Sequence, residues 1–231
     1  ETYTFRQEAR FADKVHSQVQ AGLFFDELIY HGVTTAAVYT TSHPDATTAF
    51  FEEAETRSMR MIGGKVLMDR SAPEDLIDTA QRAYDESKQL IEAWHDKGRL
   101  SYAITPRFAI TSSNDQMSAI ESLVAEHPEC YVQTHLAENL FEISETLRLF
   151  ADAKDYTDVY EQYGLLGPKS LFGHCIHLSD RERDALSATG SVAVFCPSSN
   201  AFLGSGLFDY EGLHADNVRL AIGSDMGAGT S

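Results

Sequence analysis

Seven short apolar runs, separated by segments with helical periodicity, set the strictest limit on what this chain can fold into. They are "VTTAAVYT" (33–40), "RMIGGKVLM" (60–68), "LSYAITPRF" (100–108), "CYVQTHLAE" (130–138), "SLFGHCIHL" (170–178), "SVAVFCPSS" (191–199) and "VRLAIGSD" (218–225). Most are near-continuously apolar, as strands buried on both faces of a parallel sheet must be. Helical patterns occupy 11–30, 44–58, 73–97, 114–126, 139–152 and 180–189. "SAPED" (71–75) and "SSND" (112–115) supply helix-start chemistry, and Gly32 and Gly98 stand where C-caps belong.

A strand–helix repeat of this length, with no glycine-rich phosphate turn, predicts an α/β fold of the (β/α)8 TIM-barrel type rather than an open dinucleotide-binding sheet. No low-complexity linker interrupts it, so residues 1–231 read as a single catalytic barrel domain. One strand short of eight, the repeat opens on a helix at Glu1 and closes on "IGSDMGAGTS". Seven strands would leave pairing groups exposed at both margins, so the barrel is expected to be incomplete, without its first strand and the part after its eighth. A true open sheet of seven strands is the other reading.

Charge narrows the partners. With 18 basic and 35 acidic residues the formal net charge is -17, which repels nucleic acid and anionic membranes and leaves small neutral or cationic molecules. The three cysteines, Cys130, Cys175 and Cys196, lack zinc-knuckle or disulfide-framework spacing. No run approaches the ~18 apolar residues of a membrane span. These features predict a soluble, reduced, cytoplasmic protein.

In a barrel of this kind chemistry sits at the carboxyl ends of strands. Four ends carry suitable groups: Arg107 in "PRF", His135 and Glu138 in "THLAE", His174 and His177 in "GHCIH", and Asp225 in "GSD". Singly each has an ordinary structural explanation, a hydrogen-bonded histidine or a turn aspartate. Together, two imidazoles and a carboxylate on three strand ends can converge on a divalent transition ion, zinc above all, with a position left for water. Glu138, just beyond His135, suits proton transfer, or else interaction with the dipole of the helix that follows. His177 lies three residues from His174 and is read as a loop residue; Gly173 is read as allowing His174 a close approach. Arg107 and Phe108 could recognise the carbonyl of a planar ring and stack on it, or Arg107 could pair with a surface acid. His43 could line the mouth, or serve as a cap or loop residue. His16, His31, His95, His127 and His214 are expected in solvent, and Cys196 in "FCPSSN" is expected to be a buried, inert thiol.

The motifs "GKVLMDR", "TPRFA" and "HLAEN", together with "FGHCIHLSDRE", "FCPSSNAFLGSGLFD" and "IGSDMGAGTS", make the chain resemble bacterial guanine deaminases of the amidohydrolase superfamily over essentially all 231 residues. That resemblance implies zinc-dependent hydrolysis of guanine to xanthine and ammonia, with one zinc ion and, when full length, a homodimer. It implies His135, His174 and Asp225 as zinc ligands and Glu138 and Asp225 as catalytic proton carriers. Arg107 and Phe108 would contact the purine alongside His135, Glu138, His174 and Asp225. Two further histidine ligands of the family, in a His-x-His pair, are expected upstream of Glu1. "HLAEN" departs from the family's "HLSEN" at Ala137. Other readings are action on 8-oxoguanine or a triazine, or a non-catalytic purine-binding chain.

Overall fold

The computed structural model describes residues 3–227 and falls into two compact units. The first holds the chain up to Pro106 together with Asn114–Tyr131; the second holds Arg107–Ser113 together with the chain from Val132 onward.

The first unit begins with α1 (Thr4–Glu8), a 3-10 turn at Ala9–Ala12, and α2 (Lys14–Tyr30). Asp13 caps α2 by accepting the His16 N–H at 2.6 Å. The buried positions Ser17, Ala21, Phe25 and Leu28 make one helical stripe. There follow β1 (Thr35–Tyr39), α3 (Pro44–Thr56), β2 (Arg60–Gly64), β3 (Val66–Leu67), α4 (Ala80–Trp94), β4 (Ser101–Pro106) and α5 (Asn114–Glu126). Strands β1, β2 and β4 pair in parallel, and β3 pairs in parallel with β4 through Val66 opposite Thr105. All six residues of β4 are buried, which explains its unbroken apolar run. Between helices and sheet lies an aromatic core in which Phe51 stacks on Trp94 with ring centroids 5.6 Å apart.

Two expectations fail here for identifiable reasons. The run 60–68 is not one strand: it breaks at Lys65, whose fully buried ammonium binds the carboxylates of Asp78 and, at 3.2 Å, Glu86. The helix foreseen from 73 starts only at Ala80, with Thr79 as its cap. Residues 73–79 instead fold back so that Leu76 packs on Val66 and Met68 while the Asp78 N–H reaches the Met68 carbonyl at 2.7 Å. Gly32 follows the end of α2 in the left-handed conformation as foreseen, whereas Gly98 (φ 64) lies in a turn beyond His95, the actual cap of α4.

The second unit contains β5 (Tyr131–Leu136, of which Tyr131 belongs to the first unit), α6 (Leu140–Leu149), α7 (Tyr156–Gln162), β6 (Ser170–His174) and α8 (Asp180–Thr189). It ends with β7 (Val192–Phe195), α9 (Pro197–Leu203), α10 (Tyr210–Ala215) and β8 (Arg219–Ile222). Strands β5, β6, β7 and β8 pair in that order, all parallel. Helix α8 starts on a capping box formed by Ser179 and Glu182 and stops at Gly190 (φ 68). The run 191–199, expected to be strand throughout, is strand only in its first half; Pro197, with no N–H to lose at a first helical position, turns the second half into α9. The short helices α7 and α10 were not foreseen. Helix α7 is held by its cap Asp155 and by Tyr156, Val159 and Tyr160, all fully buried.

Candidate active site

The second unit brings the predicted polar strand ends together. In the β5–β6 register His135 lies opposite Gly173, and Leu136 opposite His174. The two imidazoles stack with centroids 5.2 Å apart and planes 20° from parallel, and Phe108 sets its edge against His135 at 5.9 Å. Asp225 follows β8 by three residues, and its Oδ2 is 4.0 Å from His174 Nε2. A cavity of about 120 Å³ is lined by Arg107, Phe108, His135, Glu138 and Glu142. That is small beside the ~300–1,000 Å³ of sites for drug-sized ligands and suits a small planar molecule.

Backbone strain makes this convergence possible. Of the eight described non-glycine residues with positive φ, four are here: Ala137 (50°), His174 (73°), Cys175 (50°) and Asp225 (51°). Such conformations cost about 1–2 kcal/mol each and concentrate at functional sites. On a straight strand His135 and Glu138, three apart, would face opposite ways. The left-handed turn at Ala137 breaks that alternation and lets both line the cavity. Its carbonyl accepts the N–H groups of Ile176 and His177, each at 3.1 Å. Gly173, by contrast, is not needed for close approach: a Cβ there would stand 3.6 Å from the nearest atom, an ordinary contact.

Hydrogen bonding fixes the state of the rings. His135 Nδ1 lies 2.6 Å from the Arg107 carbonyl, which only accepts, so Nδ1 carries the proton and the Nε2 lone pair is on the opposite edge. Burial, and then the neighbouring His174, lower the His135 pKa; burial lowers that of His174. Both rings are thus neutral at physiological pH, the form in which imidazole donates to a metal. His174 Nδ1 is 3.0 Å from the Asn200 side-chain nitrogen, while the buried Asn200 Oδ1 has no partner. The amide turned over would place that oxygen against a protonated Nδ1 and leave the Nε2 lone pair toward Asp225. By their chemistry, two neutral imidazoles and a carboxylate offer the nitrogen and oxygen donors that suit a divalent ion of the zinc type.

Glu138 does not turn back on its helix. Its Oε1 accepts from Ser205 Oγ at 2.9 Å and lies 3.8 Å from His174 Nδ1, so His174 stands between the carboxylates of Glu138 and Asp225. The cap of α6 is Asn139.

Other candidates lie elsewhere or are inert. His177 is a loop residue as foreseen, its Nε2 donating to the Ser205 carbonyl at 2.8 Å. Burial pushes the Cys196 thiol up to about 11, consistent with an unreactive side chain. His43 caps α3 in the first unit without a side-chain capping bond. His95, expected in solvent, is largely buried and its Nδ1 accepts the Tyr102 N–H at 3.0 Å. His95, Glu129 and Cys130 bring potential ligand atoms within 4.8 Å of one another. The Tyr102 bond, however, takes the Nδ1 lone pair and puts the ring proton on Nε2, so that group is a poor metal site. Ser205, Asn200, Glu142 and the tyrosines of α7 were missed. Only Glu142 left a trace, because "NLFE" (139–142) is a capping-box pattern.

Parallel strand–helix units that collect imidazoles and carboxylates at their carboxyl ends define the (β/α)-barrel class, here incomplete. Comparison with known proteins is more specific. The model of the amidohydrolase family matches residues 16–231. Guanine deaminase of Escherichia coli (strain K12) is 48% identical over 229 residues, 99% of this chain and 52% of that protein. The solved structure of E. coli guanine deaminase superposes with a TM-score of 0.98, covering 99% of this chain and 53% of the other. A guanine deaminase from C. acetobutylicum, solved with guanine bound in the active site, is 32% identical with a TM-score of 0.95 over 98% of this chain and 54% of the other. This chain belongs to the amidohydrolase family. It spans about half the length of the curated relatives it matches.

Proposed function

We propose that this chain carries the substrate-facing and proton-transferring part of an active site that hydrolyses guanine to xanthine and ammonia. The observation that carries the reading is the small cavity in which Arg107 and Phe108 face His135 and Glu138. It is supported by the superposition on a relative whose active site holds guanine.

His135 through Nε2, Asp225 through its carboxylate and His174 through Nε2 would hold a divalent metal, zinc by its donor preference. Such an ion supplies water acidic enough to attack near neutral pH. The remaining steps belong to the chain. Asp225 takes the proton of the attacking water as it adds to C2 of the ring. Glu138, steadied by Ser205, gives its proton to a ring nitrogen; the proton held by Asp225 passes to the amino group, and the added hydroxyl returns its own proton to Glu138, so ammonia leaves and a carbonyl remains. The Arg107 guanidinium donates to the ring carbonyl and Phe108 packs against the ring face. Adenine lacks that carbonyl and would leave the guanidinium without its acceptor, a strong form of rejection. The buried thiols, none of them in a disulfide, agree with a reducing cytoplasm, and no described helix is long and apolar enough to cross a membrane.

The test is a substrate panel with the complete polypeptide carrying this chain, reading ammonia release from guanine, adenine, 8-oxoguanine and a triazine. Guanine should exceed adenine in kcat/KM by on the order of 10³ or more. A preference for adenine would overturn the reading.

A further inference from the structure

We propose that Glu142, backed by Tyr156 and Tyr160, is a positioning residue that clamps the backbone of Glu138 and so sets where the proton-carrying carboxylate stands. This deepens the deaminase reading and rests on it.

Glu142 stands in the cavity wall beside Glu138, and both of its carboxylate oxygens are engaged within that wall. Its Oε2 accepts the Glu138 N–H at 2.9 Å, and its Oε1 accepts from the Tyr156 hydroxyl at 2.7 Å. Deeper in, the Tyr160 hydroxyl lies 3.5 Å from that of Tyr156, donates to the His135 carbonyl at 2.9 Å, and accepts the Ala109 N–H at 3.0 Å. One carboxylate and two phenols therefore tie down three points of the cavity wall: the backbone at Glu138, the end of β5 at His135, and the residue after Phe108. Glu142 is 4% exposed and both tyrosines are fully buried, so no solvent competes for these bonds.

The need for a clamp comes from the strained turn. With Ala137 left-handed, the chain between His135 and Glu138 follows a path that an L-residue avoids unless its surroundings hold it there. The Ala137 carbonyl is held by Ile176 and His177, and the next polar group along the chain, the Glu138 N–H, is held by Glu142. Releasing the second hold lets the turn relax and shifts the carboxylate, and a displacement near 1 Å costs about 10²-fold in rate. A mere helix cap would not require so expensive a partner: in the usual capping box the acid serves the N-cap N–H alone, here that of Asn139, whereas Glu142 also holds the Glu138 N–H one residue further back and is buried with its other oxygen on the Tyr156 phenol. Burial pushes its carboxyl up to about 7, a cost that a cap alone would not repay.

The test uses Glu142→Ala, Glu142→Gln and Tyr156→Phe in the complete, metal-loaded polypeptide. Turnover is read per bound metal, and amide hydrogen exchange at Glu138 is read separately. Glutamine keeps an oxygen for the Glu138 N–H and an amide for the Tyr156 hydroxyl. Glu142→Gln should hold kcat within about threefold and keep the Glu138 amide protected. Glu142→Ala should lower kcat about 10²-fold with KM within about threefold, and the amide should lose protection. Tyr156→Phe should fall between them, and it decides with the glutamine variant should the alanine variant fail to fold. Wild-type kcat in Glu142→Ala, or in Tyr156→Phe where that one decides, with unchanged exchange would overturn the proposal. The exchange measurement needs no substrate. A clamp that is confirmed by exchange in a protein inactive on guanine would therefore refute the deaminase reading and not the clamp.

Discussion

Above neutral pH, Glu142 should weaken the fold that it organises. Its carboxyl pKa is raised by burial from 4.5 to about 7, against hydrogen bonds from Tyr156 and the Glu138 N–H that act the other way. For an acid, a raised native pKa means that the folded state keeps its proton longer than the unfolded chain. Between pH 4.5 and about 7 the native state therefore binds more protons, and stability falls as pH rises. The penalty is absent well below 4.5 and complete above 7. At 1.36 kcal/mol per unit it amounts to about 1 kcal/mol at pH 5 and about 3 kcal/mol at pH 8. Glu142 is buried, so solvent screening does not reduce it. Glu142→Gln removes the titration while keeping the shape. Urea unfolding of both proteins at pH 5, 6, 7 and 8, with the difference taken at each pH, cancels the proton release common to both. The glutamine variant should gain about 2 kcal/mol relative to wild type between pH 5 and 8. A difference that stays flat across that range would show that Glu142 titrates normally and that its burial carries no electrostatic cost.

The remaining predictions concern the metal, the substrate and the first unit. His174→Ala should abolish turnover and lower metal content as measured by atomic absorption; a variant that keeps its metal yet loses activity would assign His174 to the proton path between Glu138 and Asp225 instead. Arg107→Lys keeps the charge and the backbone carbonyl that His135 uses but loses the planar fork, so KM for guanine should rise about 10–100-fold while a substrate without the ring carbonyl is unaffected, a pattern that steady-state kinetics would read. Lys65→Met strands the buried carboxylate of Asp78, with Glu86 beside it, and should cost about 3–5 kcal/mol in urea unfolding; a loss under 1 kcal/mol would show that the triad is electrostatically idle.

What could be read from the sequence, and what could not, divides by the range of the interaction. Strand ends were legible because an imidazole or carboxylate closing an apolar run stands out against its neighbours, and parallel pairing sends such ends to one side. The start of α6 was legible too, because a cap is a bond across three residues. The 73–79 segment was not: Pro73 and the acids after it carry a sound helix-start signal, yet burial of Leu76 and the Lys65–Asp78 pair outweigh it, and both partners lie outside any local window. The clamp behind Glu138 was hidden for the same reason. Glu142 carries only the local signal of an N-terminal helix acid, Tyr156 and Tyr160 fall in a stretch where no helix is foreseen, and Ser205 stands outside every foreseen element. Only when α7 packs beneath β5, and Ser205 returns beside Glu138 from 67 residues away, do these groups acquire a shared task. Residues that touch substrate are selected for chemical type, which a sequence displays directly. Those that hold them in place are selected for position, and position exists only after folding. The left-handed turn at Ala137 joins the two cases, since the alternation rule for a straight strand would have set Glu138 on the face opposite His135. The chemistry assigned to "HLAE" depends on that rule being broken there.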